Sequence, residues 1–278
     1  MTAVTPRQLE IVRLARERGH VDVLSLAGHF DVTPQTIRRD LNELCDTRVL
    51  NRVHGGAMYP SSVANFAQEA RRQVAPEAKQ RIGARAADRI ESDRSVILNI
   101  GTTTEQVAQS LKNHTGLMVV TNSIAVAGIL LDAPGVDVVL AGGVVRKTDG
   151  GIVGEATVDF IRQFRVDYAV IGCSAIDEDG TLLDFDFQEV QVSRAIIASA
   201  RQTILVADGM KFERVAPVRI GHLSDIDVLI TDRAPPEPVR RICDDNRTQI
   251  DVTGPDRDQE LEADASNEPG GGKQAAGL

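Results

Sequence analysis

A run of polar residues near the N-terminus carries side chains that proteins use to bind nucleic acid. It contains Gln35, Thr36, Arg38 and Arg39. Gln and Arg form paired hydrogen bonds with base edges, and Arg and Thr also bind phosphate groups. Together these residues predict a helix whose leading end enters the major groove of DNA. A surface helix with solvated charges would carry the same residue types, so the flanking chain has to decide between the two interpretations.

A second set of residues is suited to binding a small anion. Glycine, hydroxyl and charged residues follow the apolar runs of the C-terminal two thirds of the chain. Free N–H groups and hydroxyls at the start of a helix form an anion site. Each cluster alone is typical of a turn or a cap, but together they predict a small phosphorylated ligand. The residues are Gly101, Thr102, Thr103, Thr104, Asn122, Gly142, Gly143, Asp208 and Lys211.

The chain around the first run predicts a helix-turn-helix. Thr33 suits an N-cap, and a contact to DNA is also expected for it, while Pro34 suits the first helical position. Ile37, Leu41 and Leu44 follow at i, i+4 and i+7, which gives the helix one apolar stripe. The opposite stripe carries the polar run and faces outward.

Two further helices and a hairpin complete this unit. Thr5-Pro6-Arg7-Gln8 fits a capping box, and Val23–Phe30 has helical apolar spacing. Residues 48–53 are typical of a strand and precede a His-Gly-Gly turn. The pattern predicts a winged helix-turn-helix, with Arg52 and His54 of the wing contacting DNA; His54 could equally be a turn residue.

From residue 77 onward, helices alternate with apolar strands, which predicts an α/β domain with a largely parallel sheet. Ligands of such sheets bind at the carboxyl ends of the strands. The expected strands are Ser95–Ile100, Leu117–Thr121, Val136–Ala141, Val166–Gly172, Thr203–Ala207 and Val228–Thr231. The expected helices are Glu77–Ile90, Gln106–Leu111, Ser123–Leu131, Glu155–Phe164 and Gln188–Ala200.

The expected domain organisation has four parts. Residues 3–58 form the DNA-binding domain, 59–76 a linker, 77–252 the ligand-binding domain and 253–278 a disordered acidic tail. Arg71 and Arg72 in the linker are expected to be solvated.

Composition is compatible with this organisation. The formal net charge is −9, but residues 1–60 carry eight arginines and seven acidic residues. A positive face would consist of Arg38, Arg39, Arg48 and Arg52. The three cysteines are isolated, so a reducing cytoplasm and no metal site are expected. No cofactor motif is present, and no apolar run suits a signal peptide or a membrane helix.

Both halves resemble the DeoR family of bacterial transcription regulators. Residues 32–41 with Val53-His54-Gly55-Gly56-Ala57 resemble its DNA-binding motif. The C-terminal half of this chain is similar to the family's effector domain at Gly101-Thr102-Thr103, Val120-Thr121-Asn122 and Ala141-Gly142-Gly143. Similarity continues at Asp208 through Phe212, so the resemblance covers about residues 3–252. Asn99 and Met210 depart from the family, which often has Asp and Ser there.

The resemblance implies a repressor that binds operator DNA as a homo-oligomer, a dimer or a tetramer. Runs 100–105, 149–161 and 182–190 are similar to members that respond to glycerol 3-phosphate. Such a protein represses genes for the uptake and oxidation of glycerol and glycerol 3-phosphate, and glycerol 3-phosphate releases it. The effector domain is expected to resemble sugar-phosphate isomerases in fold. Further effector contacts are expected at Arg146, Glu155 and Asp184.

Two alternatives remain open at this point. The same repressor could sense another sugar phosphate. Alternatively, Asp208, Lys211 and Glu155 could move protons in an isomerase. The fused DNA-binding unit, and Asn99 in place of a carboxylate, favour a binding function over catalysis.

Overall fold

The computed structural model describes residues 5–47, 49–53, 55–59 and 68–254. Arg48, His54 and residues 255–278, for which contacts or disorder were expected, lie outside the described residues. The elements of the N-terminal unit, in chain order, are α1 Pro6–Arg18, β1 His20–Asp22, α2 Val23–Phe30, α3 Pro34–Asp46, β2 Asn51–Val53 and β3 Gly56–Met58.

The N-terminal unit is a winged helix-turn-helix, as predicted. Thr5 caps α1 in a full capping box with Gln8, and Thr33 caps α3 ahead of Pro34. Strands β1, β3 and β2 form an antiparallel sheet in that order, so residues 20–22 add a third strand to the wing hairpin. The apolar stripe of α3 is buried in this unit's own core.

The C-terminal unit begins with α4 Gln68–Gln73, and it ends with β15. Its elements up to the middle of the unit are α5 Pro76–Asp88, β4 Ser95–Leu98, α6 Thr102–Leu111, β5 Leu117–Thr121, α7 Ile124–Leu130, β6 Val136–Leu140, β7 Val144–Val145, β8 Ile152–Val153 and α8 Glu155–Ile161. The remaining elements are β9 Val166–Ile171, β10 Ala175–Ile176, β11 Thr181–Asp184, α9 Phe187–Ala198, β12 Ala200–Val206, a 3-10 helix Gly209–Glu213, β13 Val218–His222, a 3-10 helix Leu223–Asp225, β14 Val228–Thr231, α10 Glu237–Asn246 and β15 Gln249–Val252.

A parallel sheet organises this unit, with strand order β15-β14-β12-β9-β4-β5-β6. Every neighbouring pair in it is parallel. Strands that are buried on both faces read as continuous apolar runs, which is why the sequence revealed the central ones. Two separate clusters of buried aliphatic side chains cover the two faces of the sheet. The α/β prediction is confirmed.

Other elements were missed. Helix α4 lies inside the predicted linker, and α6 begins at Thr102 rather than at Gln106. The strand pair β7–β8 and the antiparallel sheet β10-β11-β13 were also missed, and all of these strands except β13 have only two to four residues, too few for an apolar alternation to stand out. No helix in the described part of the chain has the length and apolarity needed to cross a membrane.

Helices α5 and α6 approach closely at one glycine. A Cβ atom at Gly83 would lie 2.6 Å from the backbone carbonyl carbon of Gln106. Only glycine permits this approach, since real Cβ atoms do not come so near to backbone atoms. The contact fixes the position of α6, whose N-terminus follows β4.

We expect Gly83→Ala to lower the free energy of unfolding by about 1–3 kcal/mol, because overpacking separates the two helices. The matched control is Gly128→Ala in α7, where a Cβ atom meets nothing within 4 Å. That exchange is expected to raise stability by up to about 1 kcal/mol through helix propensity. Urea denaturation measures both changes, and equal stabilities of the two variants would contradict the packing argument.

Candidate functional site

The outer face of α3 presents the polar run to solvent. Gln35, Arg38 and Arg39 are exposed, and Thr36 is half-buried. Arg39 pairs with Glu43 one turn later at 3.1 Å, in an exposed ion pair of little energetic weight. Arg38 forms no hydrogen bond or ion pair with any described residue. The guanidinium of Arg38 is therefore available to a partner outside the chain.

Asp40 fixes α3 to α1 instead of holding an arginine of its own helix. Its Oδ2 atom accepts from Arg7 Nε at 2.5 Å, and its Oδ1 atom accepts from Arg7 Nη2 at 3.2 Å. The Asp40 carboxylate is buried, whereas the Arg7 side chain is partly exposed, so this fork-shaped pair is shielded from water on one side only. Asp40 is therefore paired with α1 and not with Arg38 or Arg39. The tether sets the angle at which the outer face of α3 points away from the unit.

The other residues predicted to contact DNA lie at the start of α3 and in the wing. The hydroxyl of Thr33 accepts from the backbone N–H of Thr36 at 3.3 Å and lies 2.9 Å from the Thr36 hydroxyl. This residue therefore shapes the start of α3. Arg52 is exposed on β2, in the wing.

A cavity lies where the strands of the parallel sheet end, and we call it the strand-end cavity. The predicted residues that line it are Gly101, Thr102, Thr103, Thr104, Asp184, Asp208 and Lys211. Residues that the sequence did not single out as ligand contacts also line it: His20, Met58, Arg71, Lys79, Ser174, Glu189, Met210 and Arg214, among others. The register of β4, β9 and β12 brings these loops together.

The first turn of α6 forms one wall of the cavity. Gly101 is the N-cap and has a φ of 148°, which favours glycine. The hydroxyl of Thr104 donates to the Gly101 carbonyl oxygen at 2.8 Å. Thr102 is the first residue of α6, and the Glu105 side chain is paired with α4 instead of capping the helix. The unused N–H groups of this turn and the positive end of the helix dipole suit an anion.

Three buried carboxyl groups stand on the other side. Asp208 Oδ1 accepts from the Met210 N–H at 3.2 Å, whereas Asp208 Oδ2 is buried with no hydrogen-bond partner among the described residues. Asp184 accepts from the hydroxyl of Ser174 at 3.0 Å. Burial, and then the charge of Asp184, raise the pKa of Glu189. The unpaired oxygen of Asp208 is the kind of group that a ligand hydroxyl satisfies.

Cations complete the lining. Burial lowers the pKa of Lys79 to about 8, although the nearby charge of Asp208 acts in the opposite direction. Burial also lowers the pKa values of Lys211 and Arg214. A desolvated cation gains from any anion that enters, so these side chains complement the N-terminus of α6. The cavity can bind a molecule that has both a phosphate and hydroxyl groups.

Helix α4 docks on this wall, which corrects the expectation of a solvated Arg71, whereas Arg72 is exposed as expected but is also ion-paired. Arg72 Nε donates to Glu105 Oε2 at 2.8 Å, and Gln68 Nε2 donates to Glu105 Oε1 at 2.5 Å. Arg71 pairs with Asp149 at 3.4 Å, while its buried Nε atom has no hydrogen-bond partner among the described residues. The segment between the two units is therefore in part a structural piece of the cavity.

Other predicted effector residues do not reach the lining. Arg146 pairs with Asp149, Asp186 and Glu189, so its charge is already matched by carboxylates. Asn122 is buried and donates to the Ile152 carbonyl oxygen at 3.2 Å, which holds β8. Exposed residues at this edge are Gly142, Gly143 and Glu155. These positions support the loops around the cavity or face solvent.

The sequence carried a signal for one missed residue. Lys79 falls on the buried face of α5 together with Ile82 and Ala86, and a lysine inside an apolar stripe indicates a functional position. Its ammonium group donates to the Arg71 carbonyl oxygen. Arg71 and Arg214 carried no such signal, because their neighbours in the sequence are polar or aperiodic. Asn99, in turn, donates to Ser193 at 2.9 Å and accepts from the Ile100 N–H at 2.8 Å, which makes it structural.

Comparison with known proteins finds relatives for both the N-terminal and the C-terminal unit. The DeoR-like helix-turn-helix domain matches residues 7–63, and the DeoR C terminal sensor domain matches residues 74–233. The glycerol-3-phosphate regulon repressor of Escherichia coli (strain K12) is 44% identical over 248 residues, which cover 89% of this chain and 98% of that protein. The Haemophilus influenzae protein of the same name is 48% identical over 229 residues, with coverages of 82% and 89%. Ribose 5-phosphate isomerase from Plasmodium falciparum, a solved structure, aligns at a TM-score of 0.36 and 15% identity over 48% of this chain and 52% of that chain.

Proposed function

Because the chain belongs to the DeoR family of transcription regulators, we propose that it represses genes of glycerol and glycerol 3-phosphate catabolism and leaves its operator when glycerol 3-phosphate binds. The observation that carries this proposal is the combination of an outward α3 face with a cavity that contains cations and an unpaired carboxylate oxygen. The names of the two relatives support the choice of regulon and ligand.

The proposed DNA contacts come from α3 and the wing. Gln35, Arg38 and Arg39 read base edges or bind phosphates in the major groove, and Arg52 binds the backbone from β2. A winged-helix unit reads one half-site. We therefore also propose that the chain acts as a dimer or tetramer on a repeated or palindromic operator.

The proposed ligand lies along the strand-end cavity with its two ends in different surroundings. Its phosphate contacts the first turn of α6, from Thr102 to Thr104, together with Lys79 and Lys211. Its hydroxyl groups donate to Asp208 Oδ2 and Asp184. The phosphate then has hydrogen-bond donors and cations as its partners, and the hydroxyl groups have carboxylate oxygens as acceptors.

We propose ligand binding without turnover. The position at the end of β4 holds Asn99, an amide engaged in two structural hydrogen bonds. Glu189 lines the cavity, but its carboxylate is already paired with Arg146. Neither group is a base free to remove a proton from a bound sugar phosphate.

Replacing an arginine of the α3 outer face is expected to weaken operator binding. Arg38→Ala and Arg39→Ala should each reduce affinity by roughly tenfold, since one good base contact contributes about 1–3 kcal/mol. A residue that binds only phosphate should instead reduce the slope of log affinity against log salt by about one. The matched control is Arg162→Ala, an exposed arginine of the C-terminal unit. Full affinity of both α3 variants across a salt titration would exclude α3 as the reading helix.

The ligand site is tested by calorimetry with glycerol 3-phosphate. Thr103→Ala combined with Lys211→Ala should weaken binding by at least about tenfold, because two contacts to a charged phosphate are lost. The control combines Thr115→Ala and Lys147→Ala, which remove the same groups from exposed positions. Unchanged binding in the first pair would reject the site. Tighter binding of another sugar phosphate, with loss in the same pair, would keep the site and change the effector.

Ligand affinity should fall as pH rises above the pKa of Lys79, which is about 8. The ammonium form attracts the phosphate and predominates below that pKa, whereas the neutral amine above it does not. If only the ammonium form binds, affinity decreases by about tenfold per pH unit beyond the pKa. Calorimetry between pH 8 and pH 9.5 measures this slope. Lys79→Gln should bind more weakly at pH 7 and show a shallower slope; an equally steep slope would contradict the assignment.

A further inference from the structure

The strand-end cavity is closed in part by the DNA-binding unit. His20 of β1 and Met58 of β3 line it together with Thr103 and Lys211. These two residues face each other in the antiparallel pair of β1 and β3. They are the part of the lining that the winged-helix unit supplies, and we call them the cover.

The cavity is smaller than the proposed ligand while the cover is in place. Its volume is about 40 Å³. That volume has room for roughly three water molecules. Glycerol 3-phosphate is larger than three water molecules, and the cavity is not fully enclosed, so a bound ligand must either displace part of the lining or extend through the mouth.

The cover is the part of the lining that can move as a body. Much of the remaining lining belongs to the parallel sheet, α5, α6 and α9, elements that are packed into the two large aliphatic clusters, and the 3-10 helix Gly209–Glu213 adds Met210 and Lys211. The winged-helix unit has a cluster of its own, and no residue of that cluster is shared with the other two. Close packing makes a shift inside the sheet costly, whereas a shift of the whole winged-helix unit leaves all three clusters intact.

A second contact region between the two units also connects the strand-end cavity with the winged-helix unit. A groove between them is lined by Arg52 and Gly55 of the wing and by Met210 and Glu213 of the C-terminal unit. Met210 lines both this groove and the strand-end cavity. It also precedes Lys211 on the same 3-10 helix. Displacement of that helix by a ligand would therefore also move Met210 in the groove next to the wing.

We propose that His20 and Met58 compete with glycerol 3-phosphate for the strand-end cavity, so that ligand entry displaces the winged-helix unit. This inference rests on the proposed function and adds the route by which the ligand reaches the DNA-binding unit. The ligand and the closed cover exclude each other, and operator binding is tied to the closed arrangement. By linkage, bound operator DNA must lower the affinity for the ligand by the same factor by which bound ligand lowers the affinity for operator DNA.

Smaller cover residues should strengthen ligand binding. In the full-length chain without DNA, His20→Ala and Met58→Ala should each raise the affinity for glycerol 3-phosphate by about threefold or more, because less of the lining has to be displaced. The matched controls are His29→Ala, an exposed histidine of α2, and Met118→Ala in β5. Neither residue lines the cavity, and neither change should raise ligand affinity. Weaker or unchanged binding in both cover variants would overturn the proposal.

A larger side chain gives the opposite test and does not depend on the stability of the alanine variants. His20→Trp should lower ligand affinity, because a larger cover is harder to displace. A tryptophan variant that binds glycerol 3-phosphate as tightly as the unchanged chain would also overturn the proposal.

The linkage itself is measured by titrating the ligand with and without operator DNA. In the unchanged chain, the ligand affinity without operator DNA should be about tenfold or more higher than the ligand affinity with operator DNA. His20→Ala should bring the ratio of these two affinities towards one. A ratio that stays the same in His20→Ala would contradict the cover. If Thr103→Ala with Lys211→Ala abolishes ligand binding but the cover variants behave like the unchanged chain, the proposed function stands and this inference fails. A chain that binds no glycerol 3-phosphate at all would overturn both.

Discussion

The parallel pairing of β4, β9 and β12 is the constraint on which the rest of the structure depends. Because these strands run in one direction and in register, the loops that follow them open at the same edge of the sheet. Gly101, Gly172 and Asp208 come from distant parts of the sequence and meet there only through this pairing. The close approach of α5 and α6 at Gly83 then fixes the helix N-terminus that the edge presents.

The electrostatics of this edge favour a ligand with two kinds of groups. Buried charges are costly unless they are paired, and the cavity contains cations and carboxyl groups in close proximity. Asp149 and Glu189 already engage Arg146, so its charge is not available to a ligand. In contrast, Asp208 keeps one oxygen unpaired, and burial lowers the pKa values of Lys79 and Lys211. A molecule that combines a phosphate with hydroxyl groups relieves both conditions at once.

The segment between the two units connects this edge to the DNA-binding surface. Helix α4 is fixed to α6 through Glu105, which accepts hydrogen bonds from both Gln68 and Arg72. On the other side, Asp40 fixes α3 to α1 through Arg7. Each of these tethers lies inside one unit, so a displacement between the units changes where the outer face of α3 points. This arrangement suits a protein that must either hold or release DNA as a whole.

The sequence by itself determined the elements whose signals are local. The caps at Thr5 and Thr33, the apolar stripe of α3 and the continuous apolar runs of the central strands depend only on neighbouring residues. It also placed Gly101, Thr103, Asp208 and Lys211 at strand ends, and these do line one cavity.

Only the tertiary structure decided which charges are available. Arg146 and Arg71 are both arginines in aperiodic segments, yet one is matched by three carboxylates and the other lines the cavity. Lys79 enters the site because α5 packs beside the strand ends, and His20 enters because the winged-helix unit lies over them. The reason is physical: a side chain's charge state and its partners depend on groups that are distant in the chain, and no periodicity along the sequence records those contacts.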